Sequence, residues 1–246
     1  MNRSDASRPL ISIVTITYNA AGVLEPTLES LASQNFRDFE HLVIDGHSSD
    51  NTLALVRRLS PASRILSEPD GGLYDAMNKG LRMARGRYIL FLNAGDSLHA
   101  VDTLHRYALA AVALPCPDII YGDTIIVDKD RQFIAPRHKS APERLDFNSF
   151  KQGMLVCHQS FMVRRELAPE YNLAYRFSAD YDWTLRCIQA SDPEKNINLH
   201  AVVTDYLSDG LTDKNHRKSL MERFDIMRRH YGLLTTLRSH FRFLIH

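Results

Sequence analysis

The chain has 246 residues, 44% of them apolar and 24% charged, the composition of a globular domain with a large core rather than of a fibrous or disordered chain. Its apolar runs, such as Tyr88 to Leu92, are far shorter than the roughly 20 residues a membrane span needs, and the N-terminal MNRSDASRPL lacks the apolar stretch of a secretory signal. The net charge of +1 divides unevenly: from Lys214 onward eight Lys or Arg face two Asp or Glu, a local +6 that leaves the remainder at −5.

In chain order, the first hundred residues alternate between two patterns. ISIVTIT (Ile11 to Thr17) is rich in β-branched residues and predicts a buried strand. Val23 to Gln34 has helical spacing, and FEHLVID (Phe39 to Asp45) predicts a second strand. Ser49 or Asp50 is placed to cap the next helix, built on Leu53, Val56 and Leu59. A short strand is expected at Arg64 to Leu66, then a helix with the stripe Leu73, Met77, Leu81, Ala84, ended by Gly86. YILFL (Tyr88 to Leu92) predicts a central strand, so the order is that of βαβ units on a parallel sheet. The second half is less regular. It predicts a hairpin of Asp118 to Val127 with Gln132 to Ala135, a mixed segment at Val156 to Val163, and a helix over Asp180 to Ile188. A strand at Ile197 to Val203 and a helix at His216 to His230 follow.

Ligands of open parallel sheets bind beyond the carboxyl ends of the strands. Polar residues gather there: Tyr18-Asn19 after the first strand, Asp45-Gly46 after the second, and Asn93-Ala94-Gly95-Asp96 after the fourth. Turns favour Asn, Asp and Gly in any case, but convergence at three neighbouring strand ends is what a site produces. There is no GxxxxGK[ST] and no GxGxxG after the first strand, so a bound nucleotide would need its charge met differently, most simply by a divalent cation. Asp96 suits that role, since Mg²⁺ uses one or two carboxylates plus substrate phosphates. A second acidic cluster, FSADYDWTLR, places Asp180 and Asp182 on different sides of a helix start, beside the single tryptophan, Trp183. Trp183 reads either as a platform under a sugar ring or as core packing. Three scattered cysteines, Cys116, Cys157 and Cys187, exclude a disulfide framework and fit a reducing compartment such as the cytoplasm.

The stretches ISIVTITYN, HLVIDGHSSDNT, EPDGGLYDAMNKGLRMARGRYILFLNAGD, CHQSFMVRREL and RFSADYDWTLR together resemble the family 2 glycosyltransferases, over roughly Pro9 to Gly210. The GGLYDAMNKG segment is similar to that of small bacterial enzymes building exopolysaccharide, capsule or O-antigen repeat units. The resemblance implies an α/β GT-A fold: one domain over 1–213, with a Rossmann-like, mostly parallel sheet in a donor half at about 9–100, a mixed acceptor half at about 115–213, and a basic helical tail at 214–246. It implies an inverting transfer of sugar from a nucleotide-diphosphate sugar to a saccharide or polyprenyl-linked acceptor, with Mn²⁺ or Mg²⁺ as cofactor. By the same resemblance Tyr18, Asp45, Asp70, Asn78, Lys79 and Asn93 shape the donor site, with Lys79 toward the diphosphate. Asp96 is the metal ligand, in a motif whose first Asp is Asn93 here. His158, Gln159 and Trp183 line the acceptor side. Asp180 is the general base, with Ala179 where the family has Glu, and Asp182 is structural.

Beyond Gly210, SDGLTDKNHRK suggests a loop over bound donor, in which His216 is either a further metal ligand or an exposed histidine. The tail RRHYGLLTTLRSHFRFLIH mixes basic and apolar residues. It suits an anionic membrane surface at the inner face, or a helix docked on the body or on a second subunit. Two rivals remain open: a sugar nucleotidyltransferase, although TYNAAGVLEP is not the Gly-rich basic loop that class carries, and a non-catalytic, degenerate transferase domain. No nucleic-acid partner is expected, because the basic residues cluster only in the tail of an acidic body.

Overall fold

A computed structural model describes residues 8–113, 116–208 and 216–245, apart from the side chains of 216 and 241–245. Its frame is set by β1 (Ile11–Thr17), in which all seven residues are buried. A strand covered on both faces must be apolar on both, which is why ISIVTIT reads as a continuous run rather than an alternation. Ile11 and Ile13 pack on one side of the sheet, and Val14 and Ile16 on the other. Parallel neighbours flank it: β2 (Phe39–Asp45), then β3 (Arg64–Ser67), on one side and β4 (Tyr88–Phe91) on the other.

Past β4 the sheet becomes mixed. The short β5 (Ser97–Leu98), β6 (Ile119–Val127), β7 (Phe133–Pro136), β8 (Phe161–Arg164) and β9 (Asn196–Leu207) complete it. Among the described residues the order is β3-β2-β1-β4-β8-β6-β9-β5, with β7 paired to β6. The predicted hairpin is the β6–β7 pair, and the segment expected as mixed strand resolves into a 3-10 turn at His158–Ser160 leading into β8. Two elements, β5 and the helix α4 at Thr103–Ala113, were not foreseen.

The helices α1 (Leu24–Ala32), α2 (Thr52–Leu59) and α3 (Leu73–Met83) cross between the parallel strands. The residue at the cap position of α2 is Asn51, which makes no side-chain cap bond, so neither Ser49 nor Asp50 is the cap expected; Asp50, one residue earlier, accepts the Thr52 N–H at 3.0 Å. Helix α3 buries Met77 as its spacing predicts, but it also buries Tyr74 and Asn78, and Leu73 and Leu81 are only partly covered. In the second half, α5 spans Ala179–Ala190, α6 His216–Tyr231 and α7 Leu233–Ile245. Helix α6 is docked on the body rather than free: Ile226 and Met227 are in the core, and the Tyr231 hydroxyl donates to the Phe147 carbonyl at 2.6 Å.

Helix α3 ends three residues before Gly86, so Gly86 is not its stop signal. A Cβ on Gly86 would lie 2.5 Å from the Ser12 backbone nitrogen, so the glycine is there to let the chain approach β1. Gly86→Ala therefore forces a backbone shift, and overpacking of this kind costs about 1–3 kcal/mol. Urea unfolding is expected to show that loss for Gly86→Ala and none of comparable size for Gly22→Ala, where a Cβ meets nothing within 4 Å.

Candidate active site

The loops after β1 and β2 are knitted into one surface by short polar side chains. Asn19 takes a left-handed φ of 47°, a conformation Asn tolerates. Its Oδ1 accepts the Ser49 N–H at 2.9 Å, while its own N–H donates to Ser48 Oγ at 2.8 Å. The Ala20 N–H donates to Thr52 Oγ1 at 2.8 Å and the Ala21 N–H to Asp50 Oδ2 at 3.1 Å. Behind them lies Asp45, 1% exposed. Its carboxylate accepts from Thr17 Oγ1 at 2.9 Å, Ser67 Oγ at 2.7 Å, and both the N–H and hydroxyl of Ser48. Burial alone would raise its pKa, but these hydrogen bonds outweigh it and hold the carboxyl below the usual range. Asp45 thus frames the site and does not present a free edge to a nucleoside. What faces outward is the Tyr18 ring, 68% exposed, next to Gly46. A Cβ on Gly46 would meet Asp70 Oδ2 at 2.6 Å and the Tyr18 ring at 3.3 Å. Gly46 is the gap that keeps Tyr18 and Asp70 adjacent.

Two residues expected at the donor have other partners. Asn78 is 2% exposed; its Nδ2 donates to the Tyr171 carbonyl at 3.1 Å and its Oδ1 accepts the Tyr171 N–H at 2.7 Å. This amide clasp ties α3 to the second half of the chain. Lys79 donates to the Pro69 carbonyl at 2.9 Å and pairs with Glu68 at 2.9 Å. It braces the loop that carries Asp70 instead of facing a diphosphate.

At the end of β4, the Asp96 carboxylate is 4% exposed. Oδ1 accepts the Leu207 N–H at 3.0 Å and Oδ2 accepts the Gln159 amide at 2.8 Å. Burial pushes its pKa up to about 7, against the pull of both hydrogen bonds and of the Arg131 guanidinium. Arg131, at the tip of the β6–β7 hairpin, donates to the Gly95 carbonyl at 2.8 Å and to the Ser97 hydroxyl. Nothing in the sequence signals that reach, because it spans two hairpin-distant segments. Asn93 Oδ1 is buried without a hydrogen-bond partner, a state that costs about 1–3 kcal/mol unless a donor or cation satisfies it. Among the described residues no three His, Cys, Asp or Glu side chains converge as a ready ligand set. Each Asp96 oxygen keeps a second lone pair, however, and with Asn93 Oδ1 the turn fits an ion that takes its other ligands from water and diphosphate. The His216 side chain is outside the described residues.

Asp180 stands half-buried in the first turn of α5. The Tyr74 hydroxyl of α3 donates to its Oδ1 at 3.1 Å. His158 is buried near it, stacked on Phe91 with ring centroids 5.0 Å apart and bonded through Nε2 to the Tyr171 hydroxyl. Burial pushes the imidazole down to about 4, only partly opposed by the Asp180 charge. Gln159, the next residue, holds Asp96, so one buried dipeptide bonds one acid and feels the charge of the other. Trp183 is 0% exposed, stacks on Tyr171 at 5.0 Å, and donates its indole N–H to the Pro169 carbonyl at 2.7 Å. It is core, and no sugar can lie against it. Asp182 bonds Arg186 at 2.8 Å and His230 at 2.9 Å, which makes it a tie between α5 and α6. Ala179, at the position where the family pattern has Glu, is fully buried.

Residues 12–171 match Glycosyl transferase family 2. The chain belongs to that family. Relatives from Mycobacterium tuberculosis and Mycobacterium bovis named PGL/p-HBAD biosynthesis glycosyltransferase are 36% identical over 225 residues, covering 86% of this chain and 84% of theirs. A hyaluronan synthase of Pasteurella multocida is 29% identical over 85% of this chain but only 22% of its own. Among solved structures, TarS from S. aureus superposes with a TM-score of 0.69 at 18% identity, over 89% of this chain and 64% of that one. Glucosyl-3-phosphoglycerate synthase from Mycobacterium tuberculosis does so at 0.64 and 15% identity, over 94% and 82%. The architecture is therefore the GT-A fold, and the chain is a family 2 glycosyltransferase.

The buried histidines of this glycosyltransferase make its stability depend on pH. Burial holds both His41 and His158 near a pKa of about 4, below the unfolded value of about 6.5. Between those limits the unfolded chain binds more protons at these sites, so their contribution is full above pH 6.5 and is lost as pH falls toward 4. Asp96, raised to about 7, works in the opposite sense over the same interval. His41 sits between the hydroxyls of Thr15, Ser60 and Ser63, which a glutamine amide can also reach. His41→Gln is expected to flatten the dependence of the urea midpoint on pH between 7 and 5; an unchanged slope removes His41 as a source.

Proposed function

We propose that the protein is an inverting glycosyltransferase that moves a sugar from a nucleotide-diphosphate sugar to a hydroxyl of a saccharide or lipid-linked saccharide, in cell-surface polysaccharide synthesis. The observation that carries this reading is the half-buried Asp180 carboxylate, one oxygen of which accepts from Tyr74, near a buried dipeptide whose His158 feels its charge and whose Gln159 bonds Asp96. The family supports it, as do the ligands of structures that share the fold: UDP-GlcNAc with TarS, and GDP-Man and Mn²⁺ with the mannosyltransferase PcManGT from Pyrobaculum calidifontis. The latter superposes with a TM-score of 0.62 at 19% identity, over 94% of this chain and 74% of that one.

In this reading Tyr18 and Asp70 receive the nucleoside end of the donor, on the floor that Asp45 and Gly46 provide. Asp96 and Asn93 would hold a divalent cation, Mn²⁺ or Mg²⁺, which when bound offsets charge on the leaving diphosphate. The Asp180 carboxylate accepts the proton of the acceptor hydroxyl as that oxygen bonds the anomeric carbon. The bond from that carbon to the diphosphate oxygen breaks on the opposite face, and its electron pair leaves with the diphosphate. One carboxylate on the attacking side gives a single displacement, hence inversion. Asp180→Asn is expected to lower kcat for transfer by on the order of 10²–10⁴-fold, the usual worth of a general base, with donor affinity nearly unchanged. Parallel loss of donor affinity would assign Asp180 to the donor site instead.

The basic segment from Lys214 onward supports a peripheral place on an anionic membrane, where a polyprenyl-linked acceptor would lie. No helix among the described residues is long and apolar enough to cross a membrane. Helix α7 nevertheless exposes Leu233, Leu234 and Leu237, with Leu220 and Met221 exposed on α6. Apolar side chains beside a local charge of +6 match the chemistry of an anionic bilayer surface. The variant carrying Leu234→Glu and Leu237→Glu should float less with phosphatidylglycerol vesicles at low salt than the unaltered protein. Equal flotation rejects the membrane role of α7.

A further inference from the structure

We propose that Tyr74 is a positioning residue for the reaction: its hydroxyl fixes Asp180 so that one carboxylate oxygen is engaged and the other is turned to the acceptor. The proposal rests on the reading of Asp180 as general base. A phenol has a single proton to give, and Tyr74, 7% exposed, gives it to Asp180 Oδ1 at 3.1 Å across 106 residues of sequence. A short carboxylate side chain at a helix start has several rotamers open to it, and an attacking geometry uses one of them.

The phenol ring is itself held by a packed neighbour. Its ring stacks on Tyr171 at 5.6 Å and 23°. Tyr171 stacks in turn on Trp183 at 5.0 Å, bonds His158 through its hydroxyl, and has its backbone gripped by the Asn78 amide. Since Asn78 lies one helical turn after Tyr74 on α3, the same helix supplies both the hydroxyl and the clasp that fixes its ring. Burial first, and the Asp180 charge second, raise the Tyr74 pKa well above 10, so the phenol stays a donor and does not compete for the acceptor proton. Loss of a hydrogen bond to a charged group corresponds to about 10- to 100-fold in rate when that geometry matters only at the transition state.

The test is a double-mutant cycle of Tyr74→Phe and Asp180→Asn, read as kcat and donor KM for transfer, at a temperature where circular dichroism shows all four proteins folded. Tyr74→Phe keeps the ring and its stacking and removes only the proton. Alone it is expected to lower kcat about 10- to 100-fold with donor KM within about twofold. Combined with Asp180→Asn it should add almost nothing, because its effect passes through a carboxylate that is already gone. Unchanged kcat in Tyr74→Phe overturns the proposal and leaves the base assignment standing. So does an equal fractional loss in both backgrounds, which marks Tyr74 as a general support of the fold. Full transfer by Asp180→Asn alone overturns the base assignment itself, and this proposal with it.

Discussion

The hydrogen bond from the Gln159 amide to Asp96, at 2.8 Å, joins the turn after β4 to the 3-10 turn before β8. The residue before it, His158, packs on Phe91 at the end of β4 and lies close enough to Asp180 to feel its charge. Two consecutive side chains thus span the distance between the acid on the parallel half of the sheet and the acid on the mixed half. Because both are buried, neither turn can move without uncovering polar groups that have partners only in this arrangement, which costs about 1–3 kcal/mol for each orphaned group. The mounting of Asp96 is therefore a property of the core and not of flexible surface loops.

The same constraint explains the weight of aromatic residues around His158. Phe91, His158, Tyr171, Trp183 and Tyr74 pack at centroid distances of 5.0–5.8 Å. The indole and the two phenols each meet a defined partner: Pro169 for the indole, His158 for the Tyr171 hydroxyl and Asp180 for that of Tyr74. Helix α6 closes the construction from outside. The Glu222 carboxylate accepts the N–H groups of Arg176, Phe177 and Ser178, so the approach to α5, and with it Asp180, is set by a helix that follows it by some forty residues.

Much of the fold was legible because the periodicities were strong. Seven buried residues in ISIVTIT, the apolar end of FEHLVID and the helical stripe through Met77 leave few alternatives. Asp180, Asp96 and Tyr18 were legible as polar residues at the ends of such elements. The partners of Arg131, Glu222 and Tyr74 were not, since each contact joins segments tens of residues apart that only the finished sheet brings together. Helix α4 was overlooked although TLHRYALAAVA buries Leu104, Tyr107, Ala108 and Ala111 at helical spacing. Trp183 is ambiguous for a different reason: a large amphipathic ring beside two acids looks the same in sequence whether its face is bare or covered.

Asp45, Asn78 and Lys79 carry a general consequence. All three lie in the stretches that mark the family, and all three have their polar atoms occupied by this protein's own hydroxyls, amides and carbonyls. A sequence pattern records that a residue type is required at a position, and a buried carboxylate framing three hydroxyls is required as firmly as one touching a ligand. Exposure separates the two cases. Tyr18 and Asp180 keep exposed surface, while Asp45 and Asn78 keep almost none. In this fold the polar side chains at the strand ends form two tiers, an inner one that satisfies the backbone and hydroxyls of the loops and an outer one held in place by it. Substitutions in the inner tier act on the reaction only by moving the outer tier.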